Sequence, residues 1–152
     1  MEQDLHAAFN EARQVYQKQS TIYCPYFDAN VTLNSDGFNH LQFKGNRQPR
    51  NVLEQILKLR LLKKGLAIIK SSGTLQEHRI RYEKMGKPAR DGFAQTKSVE
   101  YWGFEAIVGT TKKIKMRAVC RRVGDGKITF WSVLPHRKLN HQKLYSEGIE
   151  DD

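Results

Sequence analysis

The sequence predicts an α+β fold in which N-terminal helices and a hairpin pack against a four-stranded antiparallel β-meander. Three observations carry that reading. Between Gln76 and Pro135 lie four runs, QEHRIRYEKMG, TKSVEYWGFEAIVG, TKKIKMRAVCRRVGDG and KITFWSVLP, rich in the aromatic and β-branched residues that suit a pleated surface. Turn signals at Gly109-Thr110-Thr111 and Gly124-Asp125-Gly126 separate the last three runs closely enough for hairpins. Ahead of them, two stretches place apolar residues at helical spacing.

In chain order, Leu5, Ala8, Phe9, Ala12, Val15 and Tyr16 define an amphipathic helix over Met1 to Gln17, with acids in its first turn. Ile22 to Phe27 reads as an aromatic loop interrupted by Pro25. Val31 to Leu33 and Phe38 to Phe43, joined through Asn34-Ser35-Asp36-Gly37, read as a hairpin. Its second arm buries Leu41 and Phe43 and turns His40 the other way. The strongest helix spans Arg50 to Lys64, with Gly65 at its expected left-handed cap and a further short helix or turn over Leu66 to Ile69. Residues 1–138 form one α+β domain, with the N-terminal helix and aromatic loop in 1–37 and the functional core in 38–138. Residues 139–152 read as a polar, solvated tail.

The 152 residues carry a formal charge of +10, unevenly spread. From His40 to Lys138 there are 23 Lys and Arg against 7 Asp and Glu, a net of +16. Such a concentration favours a polyanion, RNA or DNA, as partner. The opening MEQDLHAAFNEARQVYQ carries acids and no apolar signal core, and no apolar run approaches a membrane span, so a cytoplasmic protein with no membrane contact is expected. Cys24 and Cys120 lie far apart without metal-ligand spacing and read as two buried thiols, with a disulfide between them as the alternative. No Gly-rich phosphate loop follows a strand and no DxD-type carboxylate cluster is present, so neither a metal nor a cofactor is expected.

Alternation assigns faces. Ile114, Met116, Ala118 and Cys120 share one face of their strand, and Lys115, Arg117, Val119 and Arg121 the other. Arg79 and Arg81 likewise oppose His78, Ile80 and Tyr82. In the last run Ile128, Phe130 and Ser132 alternate with Thr129, Trp131 and Val133. One sheet face should therefore pack on helices while the other is partly open, basic and aromatic. A metal-free RNA cleavage site needs a group to take the 2′-hydroxyl proton, cations to neutralise the phosphorane and a group to protonate the leaving oxygen. The candidates are His40 as acid or base and Arg79, Arg117 and Arg121 as phosphate-stabilising groups. Lys44, Arg47, Arg81 and Lys115 are candidate nucleic-acid contacts, and Trp131 a base-stacking platform.

With GFNHLQF, EHRIRY and ITFWSV in these positions, residues 38 to 135 resemble the barnase/EndoU/colicin/RelE group of small ribonucleases in architecture and site type. The resemblance implies a metal-independent endoribonuclease toxin whose partners are RNA, in some members on the ribosome, and an acidic antitoxin or immunity protein. An EndoU-like set here would be His40, His78 and Lys44. Two other readings stand beside it. One is a non-catalytic RNA- or DNA-binding module that uses the same basic face. The other is a protein-interaction domain that meets an acidic partner.

Overall fold

The computed structural model describes residues 1–45, 47–86, 90–93, 95–109, 111, 113–135, 138–139, 142–143 and 149. Thr110 of the expected 109–111 turn, residues 87–89 and 94 and most of the segment after Pro135 lie outside the described residues.

Helix α1 (Glu2–Lys18) carries Glu2 and Asp4 in its first turn and Lys18 in its last, each favourably placed for the helix dipole, and buries Ala8 and Ala12. Strands β1 (Thr21–Cys24) and β2 (Ala29–Thr32) pair antiparallel from Thr21↔Thr32 to Cys24↔Ala29. The aromatic loop is thus partly a strand, and the hairpin forms one arm earlier than the sequence predicts. Residues expected as its second arm fold instead as α2 (Ser35–His40). The physical reason lies in Asn34, whose backbone is extended and whose side chain accepts from the Gly37 N–H at 3.1 Å. Asn-Ser-Asp-Gly is a helix cap here, a use those residues share with tight turns.

Helices α3 (Val52–Arg60) and α4 (Leu62–Ser71) meet at Leu61, which breaks one expected helix into two. Gly65 is not a cap. It lies inside α4, where a Cβ would stand 2.9 Å from the Val133 side chain, so its bareness lets the helix press onto the sheet.

Strands β3 (Glu77–Met85), β4 (Gln95–Val108), β5 (Ile114–Val123) and β6 (Thr129–Pro135) form the expected antiparallel meander. The sheet is larger than that, six strands in the order β1-β2-β6-β5-β4-β3, and it is mixed because β2 runs parallel to β6 through Thr32↔Thr129. Two short strands, β7 (Lys138–Leu139) and β8 (Gln142–Lys143), pair only with each other.

The inner face supplies the main core, where Trp102, Phe104, Met116, Ala118, Cys120, Phe130 and Val133 meet Leu62, Leu66 and Ile69 of α4. Phe104 and Phe130 are fully buried, each worth about 1.5–3 kcal/mol by transfer. Both cysteines are buried free thiols, and burial pushes the Cys120 thiol up. Lys58 of α3, also fully buried, donates from Nζ to Ser132 Oγ at 2.7 Å and ties that helix to β6. Beyond the helices, His78 stacks on Trp102 and contacts Glu100 at 2.9 Å, while Arg122 donates to the same carboxylate at 2.6 Å.

Strict alternation fails in one strand. Val119 pairs with Ser132 and Cys120 with Phe130, so Trp131 is the extra residue of a β-bulge. Phe130 and Val133 consequently share the inner core, although the sequence pattern puts them on opposite faces, and Trp131 joins the outer cluster with Val99, Tyr101 and Val119.

A Gly37→Ala substitution would drive its Cβ into the Phe130 carbonyl, a rigid backbone atom. Urea denaturation should show a loss of about 1–3 kcal/mol. The Glu100 carboxyl is held below the usual carboxylate range, chiefly by the Arg122 hydrogen bond and secondarily by His78, against a partial desolvation cost. A depressed folded-state pKa contributes stability above the unfolded value, about 4.3, that is lost as pH falls through the folded one. Glu100→Gln should therefore cost at most about 1 kcal/mol at pH 7, and nothing once the wild-type carboxyl is protonated in both states. Paired denaturation curves across pH 2.5 to 7 (about that range suffices) check the sign.

Candidate nucleic-acid interface

A single aromatic clamp organises the basic end of the outer face. The His40 ring stacks on Trp131 with centroids 4.0 Å apart and planes 17° off parallel, and the Arg121 Cζ stands 3.9 Å from the Trp131 ring. Two groups at those separations cannot share one face, so Trp131 is sandwiched between imidazole and guanidinium. The bulge delivers Trp131, Gly37 lets α2 approach β6, and α2 ends at His40 directly over the indole.

Arg50 holds the clamp from behind. Its Nε donates to the His40 carbonyl at 3.0 Å, one terminal nitrogen meets His40 Nε2 at 3.2 Å and the other pairs with Glu54 at 2.9 Å. Asn51, accepting from the Glu54 N–H at 2.8 Å, caps α3 and so fixes where Glu54 points. A guanidinium only donates, so Nε2 of His40 accepts and a neutral ring carries its proton on Nδ1. The lone pair that a general base would use at Nε2 is directed at a cation. With His40 only 6% exposed, the geometry gives it a positioning task.

In front of the clamp lies an open groove of about 1310 Å³. The loop after α2 forms one wall. Phe43 bridges to Pro49, the Lys44 N–H donates to the Gln48 carbonyl at 2.8 Å, and Arg47 holds a left-handed φ of 65° that a non-glycine residue adopts only at some cost. Strand β3 forms the other wall with Arg81, Glu83, Lys84 and Met85, and Tyr101, Arg121 and Trp131 lie between. Lys44, Arg47 and Arg81 are exposed cations that line this groove from two separate chain segments, while alternation along β3 turns the Lys84 side chain to the other face. Tyr101 donates to Glu83 Oε1 at 2.8 Å, and burial followed by that hydrogen bond raises its phenol, keeping it protonated. Arg121 Nε and Trp131 Nε1 are buried donors without a hydrogen-bond partner among the described residues.

Of the residues singled out from sequence, the groove gathers His40, Lys44, Arg47, Arg81, Arg121 and Trp131. It does not gather Arg79, Arg117 or Lys115. Arg79 and Arg117 both contact Glu77, at 2.8 and 3.3 Å, and Lys115 pairs with Glu105 at 3.2 Å. Arg117 is also buried, its side chain 6% exposed. Trp131, expected as a stacking platform, has both faces occupied already. His78 lies on the inner face, away from His40 and Lys44. The sequence reading missed Arg50, Glu54, Glu83 and Tyr101. Alternation already places Glu83 and Tyr101 on the basic face, whereas nothing in the pattern around Arg50 announces its clamp. Among the described residues no three His, Cys, Asp or Glu side chains gather as metal ligands.

No family model, curated protein or solved structure matches this chain.

His40→Ala should leave the buried Arg50 guanidinium short of one acceptor and the indole bare on one side, costing about 2–4 kcal/mol in urea unfolding. Tryptophan fluorescence should shift with it, since one face of Trp131 gains solvent.

Proposed function

We propose that the protein binds RNA or single-stranded DNA through its phosphates, along the groove in front of the Trp131 clamp. The observation that carries this reading is the convergence of Lys44, Arg47 and Arg81 on one groove, with Arg121 between them. At about 1310 Å³ the groove exceeds the roughly 300–1,000 Å³ usual for small-molecule pockets and suits a strand. Exposed cations contact phosphate oxygens without reading sequence, and the indole offers no open face for a base. Binding should therefore depend steeply on salt and weakly on sequence.

Metal-independent RNA cleavage is a second reading, favoured by the Tyr101–Glu83 pair in the same groove. In that reading Glu83, held by the Tyr101 hydroxyl, takes the ribose 2′-hydroxyl proton, the 2′-oxygen attacks phosphorus, Arg81 and Arg121 neutralise the phosphorane, and a water molecule protonates the departing 5′-oxygen. The products are a 2′,3′-cyclic phosphate and a 5′-hydroxyl. An acidic antitoxin or immunity protein would compete for the same cations.

Binding of a fluorescent RNA oligomer, measured from about 50 to 300 mM salt, should give a linear log–log plot. Arg81→Ala and Lys44→Ala should each weaken binding and flatten that slope by about 0.7. A slope unchanged by both variants would remove the groove as the phosphate site. For cleavage, RNA should be cut in EDTA while the matching DNA is spared, and Glu83→Gln should slow cutting about 10²- to 10⁴-fold. Intact RNA after prolonged incubation would leave binding alone.

A further inference from the structure

Strand β3 is the outermost strand on the basic side of the sheet. It pairs with β4 without interruption from Glu77↔Gly103 to Met85↔Gln95, and no strand among the described residues lies along its other flank. Sheets usually shield such a margin with a short strand, a bulge, a proline or charges that repel. Here nine residues run in unbroken register, with no proline and with charges of both signs. On the inner face, beyond the helices, Ile80 is 56% exposed and Tyr82 79% exposed. β-Branched and aromatic side chains of this kind pair favourably across strands.

The sequence of β3, EHRIRYEKM, complements itself when reversed. In an antiparallel pair centred on Arg81, Arg79 of each copy faces Glu83 of the other, and Ile80 of each faces Tyr82. Paired positions share parity, so the inner and outer faces of the two copies stay aligned. Moving the centre to Ile80 sets Glu77 against Glu83 and Arg79 against Arg81. Moving it to Tyr82 keeps an Arg81–Glu83 pair but sets Ile80 against Lys84 and leaves Glu77 and His78 outside the overlap. The Arg81 register alone uses the whole strand and gives Ile80 an apolar partner. Its one like-charge contact, Arg81 with its own copy on the axis, is offset by the Glu83 carboxylate 3.9 Å from each Arg81 within its own chain.

A charge imbalance within the single chain points the same way. Arg79 and Arg117 share one carboxylate, Glu77, and the Arg79 side chain is 42% exposed. We propose that β3 docks antiparallel on β3 of a second copy, centred on Arg81, so that the two sheets become one. The two-fold axis stands perpendicular to that sheet, and both grooves open on the same face. Resting on the phosphate-binding reading above, the second copy also completes the site. Its Arg79 reaches Glu83 on the groove wall, and the Arg81 pair carries the cationic track from one groove towards the other. A phosphate strand that spans both relieves the Arg81 contact, so nucleic acid and dimer strengthen each other.

The test is the mass of the full chain, freed of nucleic acid, by light scattering up to about 100 μM protein at about 50 mM salt. The expected species is a dimer that dissociates on dilution. Arg79→Glu and Glu83→Arg each set like charges opposite one another twice, and each should weaken the dimer about tenfold or more. Mixed in equal amounts, the two variants regain both ion pairs and should form a heterodimer that neither variant matches alone. Ile80→Lys combined with Tyr82→Lys, at exposed positions outside the groove, should give a monomer whose unfolding midpoint stays that of a folded protein. A full chain that is monomeric throughout would overturn the proposal, as would a dimer indifferent to these changes or a mixture no heavier than its components. Because the mass is read without nucleic acid, those outcomes leave the phosphate-binding reading intact, whereas a dimer that binds no RNA overturns that reading alone.

Discussion

The sandwich of Trp131 between His40 and Arg121 is the contact on which the basic face depends. Its parts come from α2, β5 and β6, and none reaches the others without two backbone peculiarities. The bulge frees Trp131 from the ladder and turns it outward, and Gly37 permits α2 to sit against the Phe130 carbonyl. Arg50 then locks the imidazole from the far side through three hydrogen-bonding contacts, two of them to His40 itself. A buried guanidinium is tolerable only when so fully engaged, which couples the loop, the start of α3 and the end of α2 into one assembly.

Cationic side chains on a sheet are not interchangeable, and the distribution of carboxylates decides which remain available to a ligand. Glu77 engages Arg79 and Arg117, and Glu105 engages Lys115, so those three charges are largely balanced within the fold. Arg121 is balanced differently, against the indole, and its Nε–H has no acceptor among the described residues. A π-face attracts a cation without using its hydrogen-bonding capacity. The arginine beside an aromatic ring is therefore a better anion receptor than one beside a glutamate, although both look alike in a count of charge.

The meander, its faces and the basic side were legible because period-two alternation survives along β3, β4 and β5. The cations of 44–47 and 79–81 were legible as charge, but not their allegiance, since Glu77 reaches Arg117 from another strand. Asn-Ser-Asp-Gly misled because the same residues cap helices and make turns, and only the neighbouring β1 strand settles which arm completes the hairpin. The bulge was illegible, as one inserted residue leaves composition untouched while moving Val133 onto the face of Phe130. Ile149 was invisible for a related reason. A lone aliphatic residue among carboxylates carries no periodicity, and nothing in the pattern announces that it is buried with Val99, Tyr101 and Val119, beside the bare strand position Gly103.

The β1–β2 hairpin meets the remaining sheet through one register pair, Thr32 with Thr129, whereas β3, β4 and β5 are laddered along most of their lengths. Cooperative units in native proteins separate where such seams are thinnest. The amide protons of the hairpin should consequently exchange with solvent deuterium through partial openings that leave the meander closed. The hairpin then behaves as a detachable margin of a more durable slab, and because β2 leads directly into α2 its breathing reaches the imidazole that rests on Trp131.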